Sequence, residues 1–343
     1  MNYYFFAGCY TSGSQDKGIH LLRLDSDSGK LSLENSFYGG ENPSFLIRQG
    51  KFLYAANEVS GTGKASAFSV GNDNQLTLIN SREAAGAGTC HIAYMNGFLY
   101  GANYESGSIF GVEISADGAL GKVVSEIQHE GTGPNQDRQK EPHAHSVNPV
   151  PGENLLIAAD LGTDKLFCYR QNADGSLKPD GISPAVKSPP GGGPRHLTFS
   201  PDVKRMFAVM EMGVSLVSYI ISANGFEHES VYPLVKEEIF QRDIAADIHF
   251  NPAGTRLYAS VRGKNLISVF EFTSAGTLNY TGFFSSGGDS PRNFCFSPDG
   301  KFILIAHQSS GDVTICPVNE NNGFIGSPLD SVNLQGASCI INA

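Results

Sequence analysis

Six copies of one short hairpin run through the chain, and that repeat limits the available folds more than any other feature. Its second strand reads Phe52-Leu53-Tyr54-Ala55-Ala56-Asn57, Phe98-Leu99-Tyr100-Gly101-Ala102-Asn103 and Leu155-Leu156-Ile157-Ala158-Ala159-Asp160 in the first three copies. The later copies read Met206-Phe207-Ala208-Val209-Met210, Leu257-Tyr258-Ala259-Ser260-Val261 and Ile303-Leu304-Ile305-Ala306-His307. Runs this short, rich in aromatic and β-branched residues and bounded by turn residues, are buried strands rather than helices. Turns such as Asn251-Pro252-Ala253-Gly254 and Ser297-Pro298-Asp299-Gly300 precede them. There Pro presets φ early and Gly accepts positive φ late, which makes a tight hairpin. A third strand follows, as in Leu266 to Phe270, and a fourth comes after a polar turn such as Ala116-Asp117-Gly118.

The residues closing the second strands are Glu58, Tyr104, Leu161, Glu211, Arg262 and Gln308, at steps of 46, 57, 50, 51 and 46. Four strands in such a period are the signature of a propeller, not of a sandwich or helical solenoid. Six repeats occupy roughly residues 40 to 336. Three N-terminal strands (Tyr3 to Cys9, Gly18 to Asp25, Lys30 to Tyr38) and one C-terminal strand (Ala337 to Ile341) remain. Together they make a seventh blade that removes open sheet edges. The expected fold is all-β: a seven-bladed β-propeller of four-stranded antiparallel blades, one domain over residues 1–343, with one blade closed by both termini.

Composition bears on function mainly by exclusion. The formal net charge is −10 and Lys and Arg form no cluster, so nucleic acid is a poor partner. A few converging Arg residues still make a local site for a small anion on an acidic protein. Six cysteines, none in a CxxC pair, read as small buried hydrophobes in a reducing compartment. The start, Met1-Asn2-Tyr3-Tyr4-Phe5-Phe6, has no signal-peptide pattern, and no apolar run is long enough to span a bilayer. The expectation is a cytoplasmic protein without a membrane partner; the oligomeric state is left open.

The repeat also groups candidate site residues. Counting back 16 positions from the end of a second strand gives the start of its hairpin partner. This pairs Gln308 with Arg292, Glu211 with Arg195, Leu161 with His145, and Arg262 with Ala246, next to Asp247. In a propeller the first strand of each blade lines the central channel. His145, Arg195, Glu211, Asp247, Arg262 and Arg292 are therefore expected at one channel mouth, where a packed core would favour apolar residues. Arg–carboxylate pairs that merely tie blades together are the competing reading.

Other signals are weaker. His143 and His145 share a face of an extended segment and could form half a zinc site, with His249 or Glu141 as third ligand, but without diagnostic spacing. No metal and no cofactor is expected. The run Pro189-Pro190-Gly191-Gly192-Gly193-Pro194 lacks a P-loop Lys and reads as a flexible lead into the Arg195 strand. His91 reads as a satisfied strand histidine. Ser12, Ser14 and Ser309-Ser310 have no nucleophile-elbow context. The insertion from Gly131 to Glu141 is either a lid or rim over the channel mouth or an ordered surface loop.

Gly133-Pro134-Asn135, Arg138-Gln139 and Pro142-His143-Ala144-His145-Ser146-Val147 together resemble the seven-bladed lactonase family. That family includes propeller-type 6-phosphogluconolactonases and a fungal carboxymuconate-lactonising enzyme. The likeness continues through Asp160-Leu161-Gly162-Thr163-Asp164, Gly193-Pro194-Arg195-His196, Glu211, Ala246-Asp247-Ile248-His249, Arg262 and Pro291-Arg292. The resemblance implies catalytic or substrate-binding roles for His145, Arg195, Glu211 and Arg262, with Arg292 as an anion ligand.

The chemistry expected is metal-independent hydrolysis of a phosphorylated sugar lactone. His145 or Glu211 would activate water, Arg195 would stabilise the oxyanion, and Arg262 with Arg292 would grip a phosphate. His143 and Asp247 are expected to help bind substrate. Lactonisation of an unsaturated dicarboxylate is the alternative enzyme reading, and a metabolite- or protein-binding propeller is the non-catalytic one.

Overall fold

The computed structural model describes residues 1–11 and 17–343; Ser12 and Ser14 lie outside the described residues. It is a seven-bladed β-propeller of antiparallel blades. Counting from Pro43, the first strands of blades one to six are Pro43–Gln49, Thr89–Met95, Ala144–Pro149, Pro194–Phe199, Ile244–Phe250 and Pro291–Phe296. The seventh blade runs in the order Ala337–Asn342, Asn2–Cys9, Gly18–Asp25, Lys30–Tyr38. Phe6 pairs with Ile341 and Ala7 with Ile340, so the two ends of the chain close one sheet, as the strand count predicts.

Blade three departs from the repeat. Its outer edge is split into Leu177–Pro179 and Ala185–Lys187, both paired with Lys165–Gln171. Pro179 and Pro184 cannot donate to the ladder, and the chain between them loops out. The Asp180 carboxylate holds that loop, accepting bonds from Ser183 N at 2.8 Å and Arg170 Nε at 2.8 Å.

The chain divides into two compact units, each described by itself. One contains the whole of blades five, six and seven; the other contains blades two and three and most of blades one and four. In each, the core lies between the faces of successive sheets. Tyr54, Ala65, Ile92, Leu99 and Phe110 pack together between blades one and two, and Ile157, Leu166, Met206 and Tyr219 between blades three and four. In the other unit Phe5, Leu22, Leu304 and Ile315 fill the space between blades seven and six. Each of the larger apolar side chains contributes about 1.5–3 kcal/mol when fully buried, and the middle strands are buried on both faces.

The predicted Pro-containing turns form, with one exception of detail. Gly254 and Gly300 take positive φ at +68° and +73°, while Val203 fills the same turn position at +55°. A β-branched residue there is strained by roughly 1–2 kcal/mol.

Blade four supplies a pH prediction. Arg205 reaches Glu229 with Nε at 2.9 Å from Oε2 and Nη2 at 2.9 Å from Oε1, and Ser218 Oγ donates to Oε2. The Arg205 bonds, opposed by burial, hold the Glu229 carboxyl below its ordinary value of 4.5. A depressed folded pKa gives stability that is present above the ordinary value and lost as pH falls through the folded one. Glu229→Gln should therefore cost about 1 kcal/mol at neutral pH. The gap in urea midpoint between variant and parent should shrink in acid; an equal gap at both pH values would refute the prediction.

Candidate functional site

A β-bulge opens the first strand of blades two to six at the same level. Across each strand pair the register slips by one between Thr89 and His91, Ala144 and Ser146, Pro194 and Leu197, Ala245 and Ile248, and Pro291 and Asn293. The residues in these slips are Cys90, His145, Arg195 with His196, Ala246 with Asp247, and Arg292. An extra residue is left out of the ladder and its side chain is re-aimed. The 16-residue offset therefore lands on a real structural equivalence: four of the expected site residues are bulge residues.

In the unit of blades one to four, the structure brings together His145, Arg195 and Glu211. The Glu211 N–H donates to Gly193 O at 2.7 Å, which fixes Glu211 beside the start of the Arg195 strand. Arg195 Nε donates to Glu211 Oε2 at 3.1 Å, and His145 Nε2 lies 3.8 Å from the same oxygen, too far for a direct bond. Arg195 Nη1 lies 3.2 Å from His196 Nε2. His145 meets the ring of His196 edge-on at 5.6 Å, and His196 meets His91 at 5.2 Å. His91 stacks on Phe45 and its Nδ1 lies 3.4 Å from Val147 N, in keeping with a strand histidine that has partners.

Sequence reasoning gave no individual role to two residues of this cluster. Arg138, on the insertion, donates from Nη2 to Glu211 Oε1 at 2.7 Å and to the Tyr104 hydroxyl at 3.0 Å. Burial works against the Arg138 charge, but Glu211 and Tyr104 outweigh it and hold its pKa above the ordinary value. Burial raises the Tyr104 phenol, with Arg138 opposing. Tyr104 also stacks on His143 at 4.6 Å and faces His145 edge-on at 5.3 Å. His143 Nδ1 lies 2.9 Å from Tyr104 O. Tyr104 ends the second strand of blade two, so the repeat pointed to its position, though not to its partners.

The insertion is an ordered, hydrogen-bonded loop. Gln139 is fully buried; its Nε2 donates to Leu161 O and Asp164 Oδ1, both at 2.8 Å, and its Oε1 accepts from Asn135 N. The Gly191–Gly193 lead into the Arg195 strand is likewise held, not flexible as expected. Asp164 accepts from Gly191 N at 2.7 Å and Gly193 N at 2.8 Å.

The remaining expected residues lie in the other unit. Arg292 Nη2 donates to the Tyr10 hydroxyl at 2.7 Å, its guanidinium sits over the Tyr10 ring, and Nη1 reaches Gln308. Arg262 Nη2 donates to Ala245 O at 3.1 Å. Asp247 is buried and accepts from Asn293 Nδ2 at 2.6 Å and Phe294 N at 3.3 Å, tying blade five to blade six. It also lies 2.8 Å from His249 Nε2; burial lowers that imidazole's pKa, but Asp247 outweighs it and the net shift is upward. No group of three or more His, Cys, Asp or Glu among the described residues is arranged to hold a metal ion. Five cysteines are buried and the sixth, Cys295, partly so. No helix of the described residues is long and apolar enough to cross a membrane.

The fold and this cluster define a propeller with a charged, hydrogen-bonded centre on the bulged starts of its blades. Residues 4–342 match the family of lactonases with a seven-bladed β-propeller. The chain is 29% identical to a 6-phosphogluconolactonase of Bacillus subtilis, over 98% of this chain and 97% of that protein. It is 30% identical to a 6-phosphogluconolactonase of Formosa agariphila, with 98% of each covered. Two solved structures superpose with a TM-score of 0.93: a putative 6-phosphogluconolactonase of Bacteroides fragilis and the periplasmic gluconolactonase of Pseudomonas aeruginosa. Each covers all of this chain; the first is 30% identical over 98% of its own length, the second 27% over 99%. The chain belongs to the seven-bladed β-propeller lactonase family, and as an enzyme it is a lactonase.

Proposed function

We propose that the chain hydrolyses a phosphorylated sugar lactone of the 6-phosphogluconolactone type, with the His145–Glu211 cluster as its reacting centre. The observation that carries this is the surplus positive charge there: two guanidinium groups converge on one buried carboxylate in a protein of net charge −10. Such a centre favours the negative charge that develops when water adds to an ester carbonyl. His145 is the base. Both Glu211 oxygens already accept from arginines, and a carboxylate held this way is a weak proton acceptor. Glu211 instead keeps the two arginines and the nearby imidazole in place. The 3.8 Å between His145 Nε2 and Glu211 Oε2 suits a shared water or substrate hydroxyl.

Arg195 is only 2% exposed and holds Glu211 from the protein side; its charge acts on the site through that carboxylate. Arg262 and Arg292 are proposed to bind the phosphate, with His143 and Asp247 shaping the sugar site; Arg292 would have to exchange its Tyr10 contact for the ligand. A lactone without phosphate is the second reading, favoured by the likeness to the Pseudomonas gluconolactonase.

A side-by-side assay decides between them, using 6-phosphogluconolactone, gluconolactone and a carboxymuconate. The expected result is a kcat/KM at least tenfold higher for the phosphorylated lactone. Equal rates with both sugar lactones would favour the second reading. Turnover of carboxymuconate alone, or of none, would overturn both.

A further inference from the structure

We propose that Arg138, carried on the 131–141 insertion, is the substrate-facing cation of this centre and binds the carboxyl group generated when the lactone opens. The proposal rests on the lactonase reading above and adds a ligand that the bulged strands do not supply. Exposure separates the members of the cluster. The side chains of Arg195, Glu211 and His145 are 2%, 4% and 6% exposed, whereas that of Arg138 is 37% exposed. Of the two guanidinium groups on Glu211, only that of Arg138 presents itself to solvent.

Its donors are divided in a way that suits a ligand. Nη2 is occupied by Glu211 Oε1 and the Tyr104 hydroxyl. Among the described residues Nε and Nη1 have no hydrogen-bond acceptor within the protein, which leaves three N–H groups for a ligand. A planar guanidinium anchored at one nitrogen, with the rest open, matches the two oxygens of a carboxylate.

The loop beneath is rigid enough to aim it. Gln139, the next residue, is fixed by three bonds, and Gly133 lies against its side chain, where a Cβ would come within 2.4 Å of Gln139 Cδ. The side chain of Arg138 therefore projects from a held backbone. Tyr104 completes the arrangement, since it accepts from Arg138 at its hydroxyl and its ring meets that of His145 in a T-shaped contact. The base and the open guanidinium thus border one aromatic wall.

Hydrolysis of a lactone consumes one water, breaks the ring C–O bond, and yields a hydroxyl, a carboxylate and a proton. A cation at the carbonyl carbon is favoured both for the developing oxyanion and for the product. The carboxylate is common to phosphorylated and unphosphorylated sugar acids, so Arg138 reads a group that does not depend on the phosphate.

Calorimetric titration with gluconate and with its 6-phosphate tests this on the parent, Arg138→Ala and Arg138→Lys. Arg138→Ala is expected to weaken both acids by at least tenfold and by similar factors, with Arg138→Lys between it and the parent. Thermal unfolding midpoints show that each variant is folded at the titration temperature. If Arg138→Ala does not fold, Arg138→Lys decides alone: weaker binding of both acids supports the proposal and unchanged binding overturns it. Loss confined to the 6-phosphate would move Arg138 to the phosphate and overturn the assignment. Affinities unchanged in both variants would overturn it while leaving the lactonase reading in place. Failure of the parent to bind either acid would remove the substrate reading and this proposal with it.

Discussion

His145→Ala is expected to lower kcat by about 10²–10⁴-fold, with KM changed far less and the fold intact. The imidazole approaches Glu211 without bonding it directly, and its other ring nitrogen, Nδ1, lies 3.9 Å from Cys90 Sγ. It therefore lies beside the carboxylate at a distance that leaves room for a water or substrate hydroxyl between them. Glu211→Gln keeps the shape and loses the charge that both arginines share. It should cost less in kcat than His145→Ala, but more in stability, because two guanidinium groups lose their common anion. Steady-state kinetics of the two variants, with added imidazole tried as a rescue of His145→Ala, tests the division of roles. A larger kcat loss in Glu211→Gln, or a His145→Ala enzyme within fivefold of the parent, would make Glu211 the base.

The blades and the shared terminal sheet are legible in the sequence because strand, turn and strand alternate with a period that local chemistry sets. Ile303 to His307 reads as a strand on its own, and Ser297-Pro298-Asp299-Gly300 as a turn on its own. The level of the site is legible for a related reason. One extra residue per hairpin leaves a constant offset, and that offset falls on His145, Arg195 and Arg292.

What resists reading is contact made across blades. Nothing local to Asp247 shows that Asn293 and Phe294 of the next blade will occupy its carboxylate. Arg138 is hidden for a different reason: it lies on an insertion outside the period, so no equivalent position points to it. Only its place beside Gln139 in the family-like run marks it. The split edge of blade three follows from Pro179 and Pro184, a local signal that lies outside the repeat.

Asp164→Ala is expected to destabilise the fold by about 3–5 kcal/mol, since Asp164 is buried and its carboxylate accepts three hydrogen bonds. Its carboxylate is hydrogen-bonded to both loops converging on Glu211. Oδ1 accepts from Gln139 Nε2 and Gly193 N, and Oδ2 from Gly191 N. Bonds to a charged acceptor are worth about 1.5–3 kcal/mol each, and their loss here is not additive because the loops relax together. The backbone adds a smaller part, since Asp164 sits at φ +54°, which Asp tolerates better than Ala. Asp164→Gly separates the two contributions: glycine accepts the same φ without strain, so its remaining loss measures the carboxylate alone. Urea unfolding of the three proteins gives both differences, and the glycine variant should still lose at least 2 kcal/mol by the same bond arithmetic. Activity should fall with it, because the loop that presents Arg138 and the turn that leads to Arg195 come free at once. A glycine variant within about 1 kcal/mol of the parent would mean that each loop is held without the carboxylate. The inserted loop and the Arg195 turn would then be independent parts rather than one clamped unit.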